Sequence, residues 1–229
     1  MFMVERFHED PFENGPTPVE IRSSKDPQVP YIKGRYIQDA DFLLQAVEQR
    51  KRYSKDPLTG VGSIHAFYDE VIPLVSTTNR YVYGNQPERL ALAHVDIDYL
   101  KETNDRFGHA KGDELLKLVA TSLRRLSRPF DRIYRLGGDE FAVVMPGFSI
   151  PVEERGEEVL LDKVNHFQDG VAVDVAAAGF PPELPAGISV GIALLSEQDD
   201  VESWLSRADQ LMYQQKSLHR LEAAQSIEE

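Results

Sequence analysis

The chain contains no cysteine. That excludes a disulfide framework, a thiolate metal site and a cysteine nucleophile. It also lacks any apolar run near the ~18 residues that would cross a bilayer, so no membrane span is expected. Met1 to Asp10 is charged and has no apolar core. No secretory signal is expected there, and a cytoplasmic location is. Basic residues are in deficit: 25 Lys and Arg stand against 38 Asp and Glu, a net charge of −13. Such a surface repels a phosphate backbone, so nucleic acid is not expected as a partner. A small anionic ligand remains possible. It would need local cations or a bound metal, because remote surface charge is screened over ~10 Å.

What is present divides into segments. Residues 1–35 carry Pro11, Pro16, Pro18, Pro27 and Pro30 and show no apolar periodicity, which predicts an irregular arm. Over residues 36–54, Ile37, Ala40, Leu44 and Val47 recur at heptad-like spacing. That predicts an amphipathic helix, either packed on its own domain or serving as a dimerisation stalk. Residues 55–223 form the main domain, and 224–229 a tail.

Within the domain, Asp56-Pro57-Leu58-Thr59-Gly60 is a turn signal. Ile64, Phe67, Val71 and Leu74 predict a helix that Pro73 and the following Ser-Thr-Thr-Asn run bring to an end. Leu90–Ile97 is apolar almost throughout, as in a strand buried on both faces. A strong helix follows from Gly112. Arg132–Leu136 and Phe141–Met145 read as strands joined across Gly137-Gly138. Pro151 to Phe167 predicts a helix, Val171–Ala178 and Gly187–Leu195 strands, and Val201–Glu222 a last helix with Trp204, Leu205, Ala208, Leu211 and Met212 inward. Tyr213 is placed in the core by the same spacing. The order predicts an α/β (α+β) fold: a βαββαβ ferredoxin-like sandwich with a central, mostly antiparallel sheet and flanking helices.

The chemistry gathers between His94 and Phe141. Asp96 ends the apolar strand, and strand ends are where open α/β sheets place ligands. Asp139 follows the double-glycine turn. Two carboxylates converging there with a backbone carbonyl make a hard-oxygen site for Mg²⁺, with nucleotide phosphates completing the shell. Gly137 and Gly138 allow a tight turn and a close approach to a phosphate or ribose. Asn104 and Asp113 could read a purine edge, since the amide donates and accepts while the carboxylate accepts from guanine N1–H and N2–H₂. His94 and His109 are not spaced as a metal cluster.

Together these runs resemble a known family. Asp96-Ile97-Asp98-Tyr99-Leu100-Lys101, Asn104-Asp105, Phe107-Gly108-His109, Gly112-Asp113 and Gly137-Gly138-Asp139-Glu140-Phe141 are similar to the GGDEF domain of diguanylate cyclases. Asp56-Pro57-Leu58-Thr59, Ile188-Ser189-Val190-Gly191 and Ala208-Asp209 with Lys216 and Arg220 resemble further motifs of the family, so the likeness runs from about Asp56 to Leu221. It implies a nucleotidyl-cyclase-like fold. It implies that Asp96, Asp139 and the Ile97 carbonyl hold two Mg²⁺ or Mn²⁺ ions in each active half-site. Glu140 would ligate metal or help the 3′-hydroxyl lose its proton. Lys101, Lys216 and Arg220 would grip phosphates, and Asn104 and Asp113 would read guanine. Two subunits, each holding one GTP, would face each other as a homodimer and make cyclic di-GMP. Asp113 implies GTP rather than ATP, because a carboxylate facing adenine meets no N2 amino group.

Arg128-Pro129-Phe130-Asp131 lies five residues before Gly137 and resembles the RxxD product-inhibition site of the family. The last helix departs from the pattern, with Leu218-His219-Arg220-Leu221 where Gly-Arg-Asn is usual. Two other readings stand beside the cyclase. One is a receptor that senses cyclic di-GMP at Arg128 and Asp131 without turnover. The other is a module that docks a partner protein through residues 1–55.

Overall fold

The run Leu90–Ile97, apolar except at His94 and Asp96, makes β2, Glu88–Ile97, the strand on which the sheet is built. In this computed structural model the described residues are 54–81, 88–149, 156–181 and 186–228. Side chains are described over the same ranges except 79–81, 88, 89, 149 and 218–228. The chain divides into compact units Met1–Gln49 and Arg50–Glu229, and every described residue lies in the second. The expected arm over 1–35 and nearly all of the helix expected over 36–54 therefore fall outside the described residues.

The elements follow in order: β1 (Gly62–Ser63), α1 (Ile64–Tyr81), β2, α2 (Leu100–Phe107), α3 (His109–Leu126), β3 (Arg132–Gly137), β4 (Glu140–Ser149), α4 (Gly156–Ala177), β5 (Ile188–Leu194) and α5 (Val201–Glu228). The sheet order is β1-β3-β4-β2-β5. β2 pairs antiparallel with β4 and β5, β3 pairs antiparallel with β4, and the short β1 runs parallel to β3. The expected βαββαβ sandwich is the observed one.

Two apolar layers cover the sheet, and the period-two alternation of β2 shows why both are needed. Ala91, Ala93, Val95 and Ile97 pack with Leu115, Val119 and Leu123 of α3 and Phe167 and Val171 of α4. Leu90 and Leu92 point the other way, onto Phe67 and Val71 of α1 and Trp204 and Ala208 of α5. His94 and Asp96 continue this second row. The strand thus carries its polar end toward α5.

Three expectations are corrected. Val171–Ala178 is not a strand; it belongs to α4, which is helical from Gly156 to Ala177. Its β-branched residues suggested a strand, but Val164, Phe167, Val171 and Val175 recur every three or four positions and are all buried. The burial period decides over the composition. α1 also is not ended by Pro73 and the Ser-Thr-Thr-Asn run but passes through both to Tyr81. Pro73 is exposed, so the helix bond it cannot make is lost on the solvent side. The hydroxyls of Ser76 and Thr77 donate back to the carbonyls of Ile72 and Pro73 instead of ending the helix. Finally, Leu211 and Tyr213 are exposed rather than inward, with Tyr213 at 63%.

The reason for the last correction lies in β5. A Cβ built on Gly191 would overlap the Ala208 carbonyl and the Met212 amide nitrogen. The backbone of α5 therefore lies directly on the strand, and among its described side chains only the narrow stripe Val201, Trp204, Ala208 and Met212 is buried. The Trp204 indole N–H donates to the Ala193 carbonyl at 2.9 Å and fixes the start of the helix. Gly191→Ala should lower stability by about 3 kcal/mol through forced separation of α5 from the sheet. Chemical denaturation measures this, and a loss below about 1 kcal/mol would mean that α5 is not seated there.

Candidate active site

At the C-terminal end of β2 the chain turns sharply. Tyr99 takes a left-handed conformation, φ 60° and ψ 23°, and caps α2 without a side-chain hydrogen bond. A non-glycine residue there is uncommon and marks a constrained loop. The loop is held to β5, since the Asp98 N–H donates to the Gly187 carbonyl at 3.0 Å and the Ser189 hydroxyl donates to Asp98 Oδ1 at 2.8 Å.

The β3–β4 hairpin arrives beside it. Gly138 has φ 42°, and the Asp139 carbonyl accepts from the Ile97 N–H at 3.1 Å. Arg135 supports the tip by donating from Nε and Nη2 to the Gly138 carbonyl, at 3.1 and 2.6 Å. Its Nη1 reaches Asp56 Oδ1 at 3.3 Å, and Asp56 itself accepts from the Thr59 amide and hydroxyl. One guanidinium thus joins the turn that leads into the domain to the glycine hairpin. Burial alone would raise the Asp56 carboxyl, but the Thr59 hydrogen bonds and the Arg135 charge bring it below its ordinary value.

Between loop and hairpin lies a cavity of about 370 Å³, lined by Ile97, Asp98, Tyr99, Lys101, Asp139 and Lys216 among others. Asp96 does not itself line it; 6% exposed, it carries on its Oδ1 the ammonium of the lining residue Lys216. Glu140 is directly opposite Asp96 in the β2–β4 ladder, so the two side chains share a face. Burial pushes the Asp96 carboxyl above the usual carboxylate range. Lys216 opposes that shift, while the charges of Asp139 and Asp98 add to it.

The structure therefore brings together Asp96, Ile97, Asp139, Lys101 and Lys216, with Glu140 alongside. Asn104 and Asp113 do not line the cavity but stand on the neighbouring α2–α3 hairpin. Arg220 lies in α5, with its side chain outside the described residues. Arg128 and Asp131 lie at the far end of β3, whose six residues hold them roughly 20 Å from the hairpin tip. There Asp131 accepts from the Arg128 amide at 2.8 Å.

Two further residues stand beside these candidates. Lys163 of α4 feels the charges of both Asp131 and Arg128, and its ammonium, lowered by burial, donates to the Leu126 carbonyl. Sequence spacing gave no sign of it, because α4 is brought there only by packing on α3. Gly112 is the other. A Cβ on it would overlap the Asn104 amide oxygen. The absent side chain leaves the place where that amide lies. The Gly112-Asp113 motif contained the signal, but not its reason.

The donor set fits a hard divalent ion. All its groups are oxygens, and the buried carboxylate already holds a cation, the Lys216 ammonium. Among the described residues no group of three or more His, Asp or Glu is arranged to hold a metal by itself. Such an ion would take its remaining ligands from phosphate and water.

A family model described as "Diguanylate cyclase, GGDEF domain" matches residues 53–221. The chain belongs to the GGDEF family. Diguanylate cyclase DgcP of Pseudomonas aeruginosa is 34% identical over 185 residues, 80% of this chain and 26% of DgcP. Response regulator PleD of Caulobacter vibrioides is 32% identical over 188 residues, 75% of this chain and 39% of PleD. This GGDEF chain thus spans between a quarter and two-fifths of those two relatives. The solved coiled coil and GGDEF domain of DgcB from Caulobacter crescentus, in complex with c-di-GMP, shares the fold. It has a TM-score of 0.61 at 24% identity, covering 80% of this chain and 91% of that one.

Gly112→Ala separates local stability from recognition. Alanine is the better helix former by about 1 kcal/mol. The unfolding midpoint of the GGDEF domain should therefore hold or rise; if Asn104 reads a guanine base, its displacement should weaken guanine nucleotide binding about tenfold. Thermal melts and nucleotide titration check both. Unchanged nucleotide affinity would show that Asn104 does not read the base.

Proposed function

We propose that this GGDEF domain is a diguanylate cyclase that condenses two GTP into cyclic di-GMP and two pyrophosphates. The observation that carries the reading is the convergence of Asp139, Ile97, Lys101 and Lys216 on one cavity, with Asp96 beneath Lys216. Carboxylates for metal and lysines for phosphate, on adjoining walls, are what a bound metal–triphosphate requires.

In this reading Asp96, Asp139 and the Ile97 carbonyl would hold two Mg²⁺ or Mn²⁺ ions, which would neutralise charge on the triphosphate and acidify the attacking hydroxyl. Lys101 and Lys216, which both line the cavity, hold the phosphates, with Arg220 as a third cation. Glu140 lies opposite Asp96 in the ladder, where it would ligate metal or take the 3′-hydroxyl proton. Asn104 and Asp113 orient guanine through the base edge, and Asp113 favours GTP over ATP. Each 3′-oxygen attacks the α-phosphorus of the GTP in the other subunit. Two P–O bonds form, two break, and pyrophosphate leaves each time. The residues contribute positioning and charge rather than covalent chemistry.

One subunit holds one nucleotide, so turnover needs two copies face to face. The heptad-like pattern of residues 36–54 supports a stalk that sets their distance. GTP as substrate supports a cytoplasmic location, and among the described residues no helix is long and apolar enough to cross a membrane. Arg128 and Asp131, with Lys163 beside them, support a second site for an anionic guanine ligand, the product itself.

Incubation with GTP and Mg²⁺ over a protein concentration series tests the reading. Pyrophosphate and cyclic di-GMP should form in a ratio of two to one. Specific activity should rise with concentration, and chelation should abolish it. Asp139→Asn should cost about 100-fold or more. Binding of cyclic di-GMP with no pyrophosphate under any of these conditions would instead favour a receptor. Arg128→Ala should weaken product binding about tenfold and relieve product inhibition while leaving initial turnover intact. Unchanged product affinity would remove Arg128 from the inhibitory site.

A further inference from the structure

Lys216 occupies a position that its phosphate role does not explain. Its ammonium is bound to Asp96 Oδ1, and the two side chains are 18% and 9% exposed. Among the described residues it is the cation paired with that carboxylate, while Asp98 and Asp139 crowd it from the same end of the sheet. An exposed pair of this kind would be weak and easily exchanged. A half-buried one is different, because removing either partner leaves a charge with little water to replace it.

The reach of Lys216 is fixed by the seating of its helix. Gly191 lets the α5 backbone rest on β5. The Gln168 amide on α4 donates to the Ile188 carbonyl at 3.1 Å and to Gln215 Oε1 at 2.9 Å. Because β5 is the edge strand, this amide clasps α4 to α5 around it, one residue before Lys216. About two turns before Lys216, Asp209 Oδ1 stands 3.1 Å from Nδ1 of the buried His94. That approach lacks hydrogen-bond geometry, and neither ring nitrogen is bonded. It is a close polar contact between helix and strand. Helical side chains lean toward the N-terminus, which directs Lys216 back over β2 to Asp96. Only the flexible lysine stem is left to move.

Resting on the metal–nucleotide reading above, we infer that Lys216 is a stand-in cation. Before nucleotide binds, its ammonium occupies the position on Asp96 that a divalent ion takes afterwards. Metal alone must displace it and strand it among buried groups. Metal arriving with a triphosphate gives the ammonium a new anionic partner and opens Asp96. Lys216 thereby couples metal and nucleotide binding positively, and by linkage each raises the affinity for the other by the same factor. An idle site stays closed to free metal.

Titration of Mn²⁺ alone into the full chain, with free Mn²⁺ followed by electron paramagnetic resonance, tests this. Lys216→Met and Lys216→Gln should bind Mn²⁺ about tenfold more tightly than the wild type, a coupling of ordinary size for linked sites. Lys216→Arg keeps a cation and should bind no tighter. With a non-hydrolysable GTP analogue present, the wild type should gain Mn²⁺ affinity and the neutral variants should gain less. In the wild type, the Lys216 ¹³Cε resonance should move when Mg²⁺ and analogue are added together and not with Mg²⁺ alone. Equal or weaker Mn²⁺ binding by the neutral variants at unchanged thermal midpoint overturns the proposal. So does an unmoved Lys216 resonance, which needs no substitution and decides the matter if the variants do not fold. A wild type whose Mn²⁺ affinity ignores the analogue overturns the metal–nucleotide reading itself. Intact coupling in both neutral variants overturns only the role of Lys216.

Discussion

A carboxylate that ends a central strand cannot be solvated like a surface acid. Asp96 is flanked by β4 and β5 and roofed by α5, and water reaches little of it. Its burial raises the cost of its charge, and Asp98 and Asp139 raise it further. Left alone, such a group would protonate or disrupt the sheet end. A cation must therefore be supplied, and Lys216 supplies it from a helix packed across the same face. Much of the local architecture can be read as the means of keeping these groups close.

The scaffold around this pair is tied at several points by single side chains. Arg135 links the hairpin tip to Asp56, where the chain leads into the domain. Arg124 donates to the Gly60 carbonyl at 2.6 Å and holds the same turn from α3. Ser122 and Arg125 both reach Asp174 and join α3 to α4. Arg207 bonds Asp199 and the Leu194 carbonyl and fixes the β5–α5 connection. These contacts lie between elements whose apolar faces already meet. Their contribution is register rather than bulk stability, since hydrophobic burial is non-directional and hydrogen bonds are not.

Glycine has a second role here besides turn formation. Gly138 needs its positive φ for the hairpin. Gly112 and Gly191 do not; they are needed because something else occupies the space a side chain would fill. At Gly191 it is helix backbone, which seats Lys216. At Gly112 it is the Asn104 amide. Close approach of this kind leaves no periodic trace in a sequence, because the occupant lies on another element.

Much of the fold was legible in the sequence alone. Strand β2, the glycine hairpin, the helix after Gly112 and the final strand and helix each carry a local pattern that needs no distant partner to be read. So does the family likeness, since its motifs are short and ordered. The helix through Val171 and Val175 was misread because β-branched composition favours a strand, and only burial against α3 and β5 revealed the helical period. The passage of α1 beyond Pro73 depended on which side faced solvent. The pairing of Asp96 with Lys216 spans 120 positions. Periodicity and turn chemistry act over a few residues, so they determine the elements; which side chains meet is decided by how the elements pack, and that exists only in three dimensions.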